Sequence, residues 1–421
     1  MTSAMARRPL SRARLRAGAG AGAIAVVLAG CAGTPSPAST SPAPSAASPA
    51  PSASASPSAS ATAASTSPAA CVSSTVDALS QEQRLGQLLM VGFDTNAALD
   101  SLDDLVADEH VGNVIYLGGW EGAQKVTRTS THLQGLVSPE ATGGVGLLIA
   151  ADQEGGEVHQ LRGDGFTRPP TASKQAQMDP AELTRAATTW AKELKAAGVN
   201  VNLAPVTDTV PKEIGRANQP IGRWGRQYGS TPESVSRSAT AFLQGMLDGG
   251  IEGTVKHFPG LGRVRNNTDF SSTGITDSVA TKDDPFLQPF ADGIEAGAGL
   301  VMMASARYPK LDDENPAMFS EKIVTGLLRE QLGYEGVVIT DDVNAEALKD
   351  VSPGDRAVRH IAAGGDIVLT GAASDAEVML DALAAEAGSD AGFAATVDAS
   401  VERVLALKER MGLLPCSTSK P

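Results

Sequence analysis

Cysteine and histidine are scarce in this chain of 421 residues, and long apolar runs are absent. Three cysteines and five histidines form no metal-ligand spacing, and the glycines form no phosphate-binding loop, so we expect neither a metal nor a cofactor. Basic residues are also in deficit, 34 against 48 acidic ones. The resulting net charge of −14 argues against a nucleic-acid partner and is compatible with a neutral substrate such as a sugar.

The first thirty residues have the pattern of a targeting segment. Five arginines and no acidic residue precede an apolar run from Ala17 to Leu28, which is too short for a membrane-spanning helix of about 20 residues. The run ends in Leu28-Ala29-Gly30-Cys31, which resembles the lipobox of bacterial lipoproteins. We predict a signal peptide over residues 1–30 and a lipid on Cys31, which would anchor the exported protein to the outer face of the cell membrane. The alternative is an ordinary signal peptide with an incidental cysteine.

A low-complexity segment separates this signal from the rest of the chain. Residues 32–70 contain only Ala, Ser, Pro, Thr and Gly, so they cannot bury a core, and we predict a disordered linker over residues 31–70. The globular domain is then expected over residues 71–418. Its two cysteines, Cys71 and Cys416, lie at its two ends, and an oxidising exterior favours one disulfide between them; two free thiols are the alternative. Closing so long a loop would stabilise the domain by at most about 5 kcal/mol.

The remaining chain alternates apolar runs with helical patterns, which indicates an α/β fold. The runs are short and continuously apolar, as expected for parallel strands that are buried on both faces. Their number predicts a (β/α)₈ TIM-type barrel, with a doubly wound open sheet as the alternative. We expect the barrel to be a single globular domain and the protein to be a monomer. The eight predicted strands are Leu88–Phe93, Val111–Leu117, Val145–Ala151, Val199–Pro205, Gly253–Phe258, Leu300–Ser305, Val337–Thr340 and Ile367–Thr370.

Polar clusters follow the third, fourth, fifth and seventh of these strands. A barrel carries its functional residues at the carboxyl ends of its strands, so the four clusters are expected to meet on one face. Carboxylates accept charge-assisted hydrogen bonds from pairs of sugar hydroxyls, and cationic side chains supply donors. An isolated aspartate at such a position could simply cap the next helix. The clusters are Asp152–Gly156, Ala204–Asp208, Lys256–Gly262 and Thr340–Asn344.

Three of these clusters carry a family resemblance. The segments D-Q-E-G-G at 152–156, K-H-F-P-G at 256–260 and T-D-D at 340–342 resemble glycoside hydrolase family 3, and specifically its single-domain β-N-acetylhexosaminidases. The resemblance extends over residues 74–414. It implies a retaining exo-β-glycosidase that acts on cell-wall or environmental oligosaccharides. It also implies that Asp341 is the nucleophile and that the sugar ring is bound by Asp152, Arg226, Lys256 and His257.

One position departs from the family pattern. The acid/base of this family branch is a histidine on the loop after K-H-F-P-G, whereas this chain has Ser271 in that place and no histidine in the loop. Asp269 matches the aspartate of the family's dyad and is the candidate acid/base, and Glu154 is an alternative. A third alternative is a catalytically impaired lipoprotein that only binds glycans. Asp342 is either a second nucleophile candidate or the cap of a helix that begins there.

Overall fold

The computed structural model describes residues 67–417, so the predicted signal peptide, Cys31 and most of the predicted linker lie outside the described residues. The first helix, α1, spans Pro68–Ala78. The Ser67 side chain caps it by accepting a hydrogen bond from the backbone N–H of Ala70, and Pro68 fits the first turn, where its missing N–H costs nothing. The predicted boundary at residue 71 falls within this helix.

Eight parallel strands form the centre of the molecule, and all eight coincide with predicted strands. Strands β1 to β7 pair in chain order, and β8 pairs with β1. An isolated parallel bridge between Ile339 and Ile367 joins β7 to β8 and closes the sheet into a barrel. The strands are β1 Leu89–Asp94, β2 Asn113–Leu117, β3 Leu148–Ala151, β4 Val201–Asn202, β5 Glu252–Phe258, β6 Leu300–Met303, β7 Val337–Thr340 and β8 Val368–Thr370.

The strands are buried because helices cover their outer face. Every residue of β3, β4, β6, β7 and β8 is buried, which explains their uninterrupted apolar sequences. The other α-helices are α2 Gln81–Gly86, α3 Asp103–Ala107, α4 Ala123–Gly135, α5 Pro139–Thr142, α6 Ala172–Gln175, α7 Pro180–Ala196, α8 Pro232–Asp248, α9 Gln288–Glu295, α10 Pro353–Ala362, α11 Ala376–Ser389 and α12 Ala391–Arg410, and a π-helix spans Lys322–Gln331. No helix within residues 67–417 combines the length and apolarity needed to cross a membrane.

Several helices begin with the same local chemistry. A Ser, Thr or Asp side chain accepts a hydrogen bond from a backbone N–H of the first turn, and proline follows it at the first helical position. This pair sets the start of α1, α5, α7, α8 and α10, at Ser67-Pro68, Ser138-Pro139, Asp179-Pro180, Thr231-Pro232 and Ser352-Pro353.

A disulfide joins the two ends of the described chain. Cys71 in α1 is bonded to Cys416, which follows α12, with 5.7 Å between their Cα atoms. The bond lies beside the packed pair of helices α1 and α12. The backbone oxygen of Leu413 accepts a hydrogen bond from Gly146, just before β3, so the disulfide lies near the amino ends of the strands.

Candidate active site

A cavity of about 400 Å³ opens at the carboxyl ends of the strands. The cavity is lined by the carboxyl ends of the strands and by the loops after β3, β4, β5 and β7, because parallel strands direct these loops to one face of a barrel. All six residues predicted for catalysis or sugar binding line it, namely Asp152, Arg226, Lys256, His257, Asp269 and Asp341. The structure therefore brings together groups that are up to 189 positions apart in the chain.

Asp341 directly follows β7 and is partly buried within the cavity. Its backbone N–H donates to the oxygen of Met303 on β6 at 3.0 Å, and its Oδ1 accepts from the N–H of Asp342 at 2.9 Å. Burial raises the pKa of Asp341 to about 6; His257 and Lys256 oppose this shift, while the charge of Asp269 adds to it. At neutral pH the group is thus a poorly solvated carboxylate, which suits a nucleophile.

Two cations and two carboxylates form a compact cluster beside Asp341. Lys256, which is 2% exposed, places Nζ 2.6 Å from Asp152 Oδ1 and 2.7 Å from Glu154 Oε1. Arg226 binds both oxygens of Glu154, from Nη2 at 2.7 Å and from Nε at 2.8 Å. The cluster is electrically balanced, which matches a neutral sugar, and Asp152 remains accessible enough to accept hydrogen bonds from hydroxyl groups.

Glu154 is held in its ionised form by this arrangement. Burial alone would raise its pKa, but the charges of Arg226 and Lys256 outweigh burial and hold the pKa of Glu154 at about 2. A carboxyl group with such a low pKa carries no proton at neutral pH. Glu154 is also absent from the lining of the cavity, and its side chain binds both cations, so the structure favours a role in orienting them over the alternative role of acid/base.

His257 is oriented by a buried aspartate that the sequence prediction did not include in the site. Its Nδ1 donates to Asp208 Oδ2 at 2.7 Å, while Asp208 Oδ1 accepts from the N–H of Leu261 at 2.6 Å. With Nδ1 engaged in this bond, Nε2 is left on the side of Arg226, whose Nη2 is 3.5 Å away. The sequence did contain a signal for this role, because Asp208 follows β4 in one of the four polar clusters expected on the functional face.

Asp269 reaches the cavity on the loop that follows β5. The backbone oxygens of Thr268 and Asp269 accept hydrogen bonds from the N–H groups of Ala347 and Glu346, at 3.0 and 3.2 Å. These bonds fasten the loop to the one after β7 and hold Asp269 near Asp341. Ser271, in the place of the family's histidine, donates its hydroxyl to the oxygen of Thr273 at 2.8 Å, within its own turn.

A buried ion cluster anchors the base of the same loop. The Arg263 guanidinium binds both oxygens of Asp284, at 2.6 and 2.9 Å, and lies 3.3 Å from Asp277. It also stacks on the ring of Phe286, with 3.8 Å from its central carbon to the ring centroid. The loop is consequently fixed at both ends, which gives Asp269 a defined position.

The expectation that Asp342 caps a helix is wrong. No helix begins there; Asp342 Oδ1 accepts from the N–H groups of Asn344 at 2.9 Å and Gly371 at 3.0 Å. It therefore stabilises a turn and joins the loop after β7 to the end of β8. Both bonds go to the same oxygen and hold the carboxylate in place, which leaves Asp341 as the nucleophile candidate.

The carboxylates that line the site differ in their partners. Asp152 bonds to Lys256, whereas Asp341 and Asp342 accept hydrogen bonds from backbone N–H groups. Across residues 67–417, no three His, Cys, Asp or Glu side chains are grouped so that they could hold a metal ion.

Comparison with known proteins places this geometry in a family. The sequence pattern described as the glycosyl hydrolase family 3 N terminal domain matches residues 80–407. The chain belongs to glycosyl hydrolase family 3. As a member of this family it is an O-glycosyl hydrolase with the (β/α)₈ barrel that the strand pattern predicted.

Relatives and solved structures agree with the family assignment. A beta-hexosaminidase of Xylella fastidiosa (strain M23) is 33% identical over 324 residues, which cover 74% of this chain and 90% of that protein. The crystal structure of a beta-N-acetylhexosaminidase from Beutenbergia cavernae DSM 12333 is 49% identical, with a TM-score of 0.76, and the match covers 78% of this chain and 98% of that one. A family 3 beta-N-acetylglucosaminidase from Paenibacillus sp. str. FPU-7 is 34% identical, with a TM-score of 0.70 and coverage of 80% and 63%.

Proposed function

We propose that this family 3 chain is a retaining exo-β-N-acetylhexosaminidase that acts on cell-wall or environmental oligosaccharides. The observation that carries the proposal is the position of Asp341, a partly buried carboxylate with a raised pKa beside a charge-balanced, sugar-binding cluster. The small cavity favours removal of one terminal sugar over cleavage within a long chain. The names of the relatives in Xylella fastidiosa and Beutenbergia cavernae support the N-acetylated substrate.

The reaction proceeds in two displacements at the anomeric carbon. In the first, a carboxylate oxygen of Asp341 forms a bond to that carbon while the bond to the departing oxygen breaks, and the departing oxygen takes a proton from the acid. In the second, the deprotonated acid removes a proton from water, whose oxygen displaces Asp341. The product keeps the β configuration, and both carboxyl groups return to their starting forms.

Asp269 is our candidate for the acid/base. Ser271 cannot replace a histidine in this role, because an alcohol has a pKa far above neutrality. Glu154 is less suited to it, because its carboxylate is bound by Arg226 and Lys256 and does not line the cavity. Asp269 lines the cavity that holds Asp341, and its loop is fastened at both ends, so its carboxyl group is available for proton transfer to a bound sugar.

A mechanism-based label tests the proposed nucleophile. Incubation of the protein with a fluorinated N-acetylglucosaminide that traps nucleophiles should leave a sugar on Asp341, which peptide mapping by mass spectrometry identifies. The D341N variant should remain unlabelled, whereas D342N, which alters the neighbouring turn, should still be labelled. A wild-type protein that binds the sugar without any covalent adduct would contradict the proposal and favour the glycan-binding alternative.

Leaving-group dependence tests the role of Asp269. D269N should slow hydrolysis of alkyl N-acetylglucosaminides by roughly 10²- to 10⁴-fold, because their departing oxygen needs a proton. Hydrolysis of aryl glycosides with an acidic phenol should be slowed much less in its first step, because this leaving group needs no proton. Added azide should restore turnover, because it displaces Asp341 without the base that water needs. Equal rates for D269N and the wild type on alkyl substrates would remove Asp269 from the mechanism.

We also propose that the chain is exported and anchored in the membrane through a lipid on Cys31. The arginine-rich segment, the apolar run and the Leu-Ala-Gly-Cys ending support this localisation, and the pairing of Cys71 with Cys416 is compatible with an oxidising exterior. Wild-type protein expressed in a bacterium should partition into the membrane fraction, whereas C31S should not acquire acyl chains detectable by mass spectrometry. Equal masses and equal partitioning of the two proteins would contradict the anchor.

A further inference from the structure

Phe270 is the most exposed large apolar side chain in the described part of the molecule. Its exposed fraction is 83%, compared with 46% for Trp224, 55% for Val279 and 53% for Val378. Phe270 also lines the cavity that contains Asp341. Exposed apolar groups at the edge of a polar cavity commonly mark a surface that is covered by a ligand.

The backbone on both sides of Phe270 is held by hydrogen bonds. The N–H of Phe270 donates to the oxygen of Asn267 at 3.2 Å, and the oxygen of the preceding Asp269 accepts from Glu346. After Phe270, the oxygen of Gly274 accepts from the N–H groups of Arg265 and Asn266, at 3.2 and 3.0 Å. The backbone of this turn is therefore held in one place, so a ligand that covers the ring orders only the side chain.

The position of Phe270 relative to the reacting groups determines which part of a substrate it faces. In the proposed function Lys256 of β5 and Arg226 of the loop after β4 bind the terminal sugar, whereas Asp269 contacts the oxygen that links this sugar to the next one. Phe270 follows Asp269 in the chain, lines the same cavity and is largely exposed to solvent. The group next to the linking oxygen on that side is the ring of the departing sugar.

We propose that Phe270 forms a binding site for the departing sugar, a pyranose ring whose apolar C–H face packs on the phenyl ring. The inference rests on the proposed function, because it assigns the leaving-group side of the same site. Aromatic side chains offer a flat apolar face of about the size of a pyranose ring, and Phe270 has no polar atom that would need a partner. The site thus selects for an oligosaccharide over a glycoside with a small alkyl group.

A pair of substrates with similar leaving-group chemistry tests this assignment. N,N′-diacetylchitobiose and methyl N-acetyl-β-glucosaminide both release an alcohol, but only the first has a second ring. We expect F270A to lower the ratio of kcat/KM for the disaccharide over that for the methyl glycoside by roughly tenfold, while F270Y retains the ratio. V378A removes exposed apolar surface on α11, away from the cavity, and should leave the ratio unchanged.

Two results would overturn the inference. One is an unchanged ratio in F270A; the other is an equal loss on both substrates, which would mean that Phe270 only supports the loop. A ratio that is unchanged while F270A alters self-association in sedimentation would assign the ring to a protein contact instead and would likewise overturn it.

Binding measurements separate this inference from the proposed function. Absence of turnover by the wild type on both substrates would count against the proposed function alone. Calorimetric affinities measured in the D341N protein, with and without F270A, then decide the inference: the affinity for the disaccharide relative to the methyl glycoside should fall roughly tenfold. Equal relative affinities in the two proteins would overturn it.

Discussion

Asp341 owes its reactivity to a balance between burial and charge. Burial destabilises the ionised form of Asp341 and so raises its pKa. The positive charges of His257 and Lys256 lower the pKa again, while the negative charge of Asp269 raises it further. The resulting pKa of about 6 lies below neutrality, so the nucleophile is ionised under ordinary conditions while it remains poorly solvated.

The pH dependence of kcat/KM follows from this balance. Asp341 reacts only when ionised, so kcat/KM for an activated aryl glycoside should fall as the pH drops through about 6. D269N removes a negative charge that raises the pKa of Asp341, so the fall should move to lower pH in this variant. Initial rates at low substrate concentration across the acidic range give both profiles; a D269N profile that is unshifted or moves to higher pH would contradict the coupling.

At the scale of single elements, the strands were the most predictable part of the fold. A strand that is buried on both faces needs a continuous apolar run, and all eight runs of this kind are strands of the barrel. The helices between them were predicted less completely, and α4, Ala123–Gly135, and α12, Ala391–Arg410, were not predicted. Both nevertheless bury apolar residues at helical spacing, Val126 and Leu133 in α4 and Val397 and Val401 in α12, so their sequences did contain the signal of a helix.

Helix α12 carries a lysine that is completely buried. Lys408 donates hydrogen bonds from Nζ to Gln87 Oε1 and, at 2.9 Å, to the oxygen of Gly112, and no carboxylate bonds to it. Burial lowers the pKa of Lys408 well below its ordinary value of 10.5. The folded protein therefore binds a proton at this position less readily than the unfolded chain does.

Lys408 should make the stability of the fold depend on pH. Between its folded pKa and 10.5 the unfolded state binds more protons, so the free energy of unfolding rises with pH, by up to about 1.4 kcal/mol per pH unit. K408M lacks this contribution. As the pH rises from about 8 to about 10, the free energy of unfolding of the wild type should therefore increase relative to that of K408M. Urea unfolding at several pH values measures it, with K192M on the surface of α7 as the control; a difference that is constant with pH would contradict the prediction.

At the scale of the whole molecule, the cavity and the disulfide lie at opposite ends of the barrel. The cavity is at the carboxyl ends of the strands, while α1, the end of α12 and the disulfide lie near the amino ends. The bond between Cys71 and Cys416 encloses the entire barrel in one covalent loop, with a separation of 345 residues. A crosslink of this length restricts the unfolded chain strongly while it touches no residue of the site.

Removal of the disulfide should therefore affect stability and leave catalysis intact. The C71S/C416S double variant is expected to lose about 2–5 kcal/mol in the free energy of unfolding, with kcat/KM close to that of the wild type below its unfolding transition. Chemical denaturation of both proteins measures this loss, and the reduced wild type should resemble the variant. Identical unfolding midpoints for the oxidised wild type and the double variant would contradict a stabilising role.

Local sequence pattern was sufficient for the barrel and for the polar clusters at its strand ends, because buried parallel strands and the residues that follow them are contiguous in the chain. The six predicted residues of the cavity came from the resemblance to glycoside hydrolase family 3. Only the tertiary structure decided how those residues are charged and oriented. Glu154 is ionised because Arg226, 72 positions away, and Lys256 bind it, and His257 is oriented by Asp208, 49 positions away. Such pairings depend on distances of a few ångströms between separate loops, and no local pattern encodes them. Asp269 and Phe270 owe their place beside Asp341 to the same cause, since backbone hydrogen bonds between the loops after β5 and β7 hold them there.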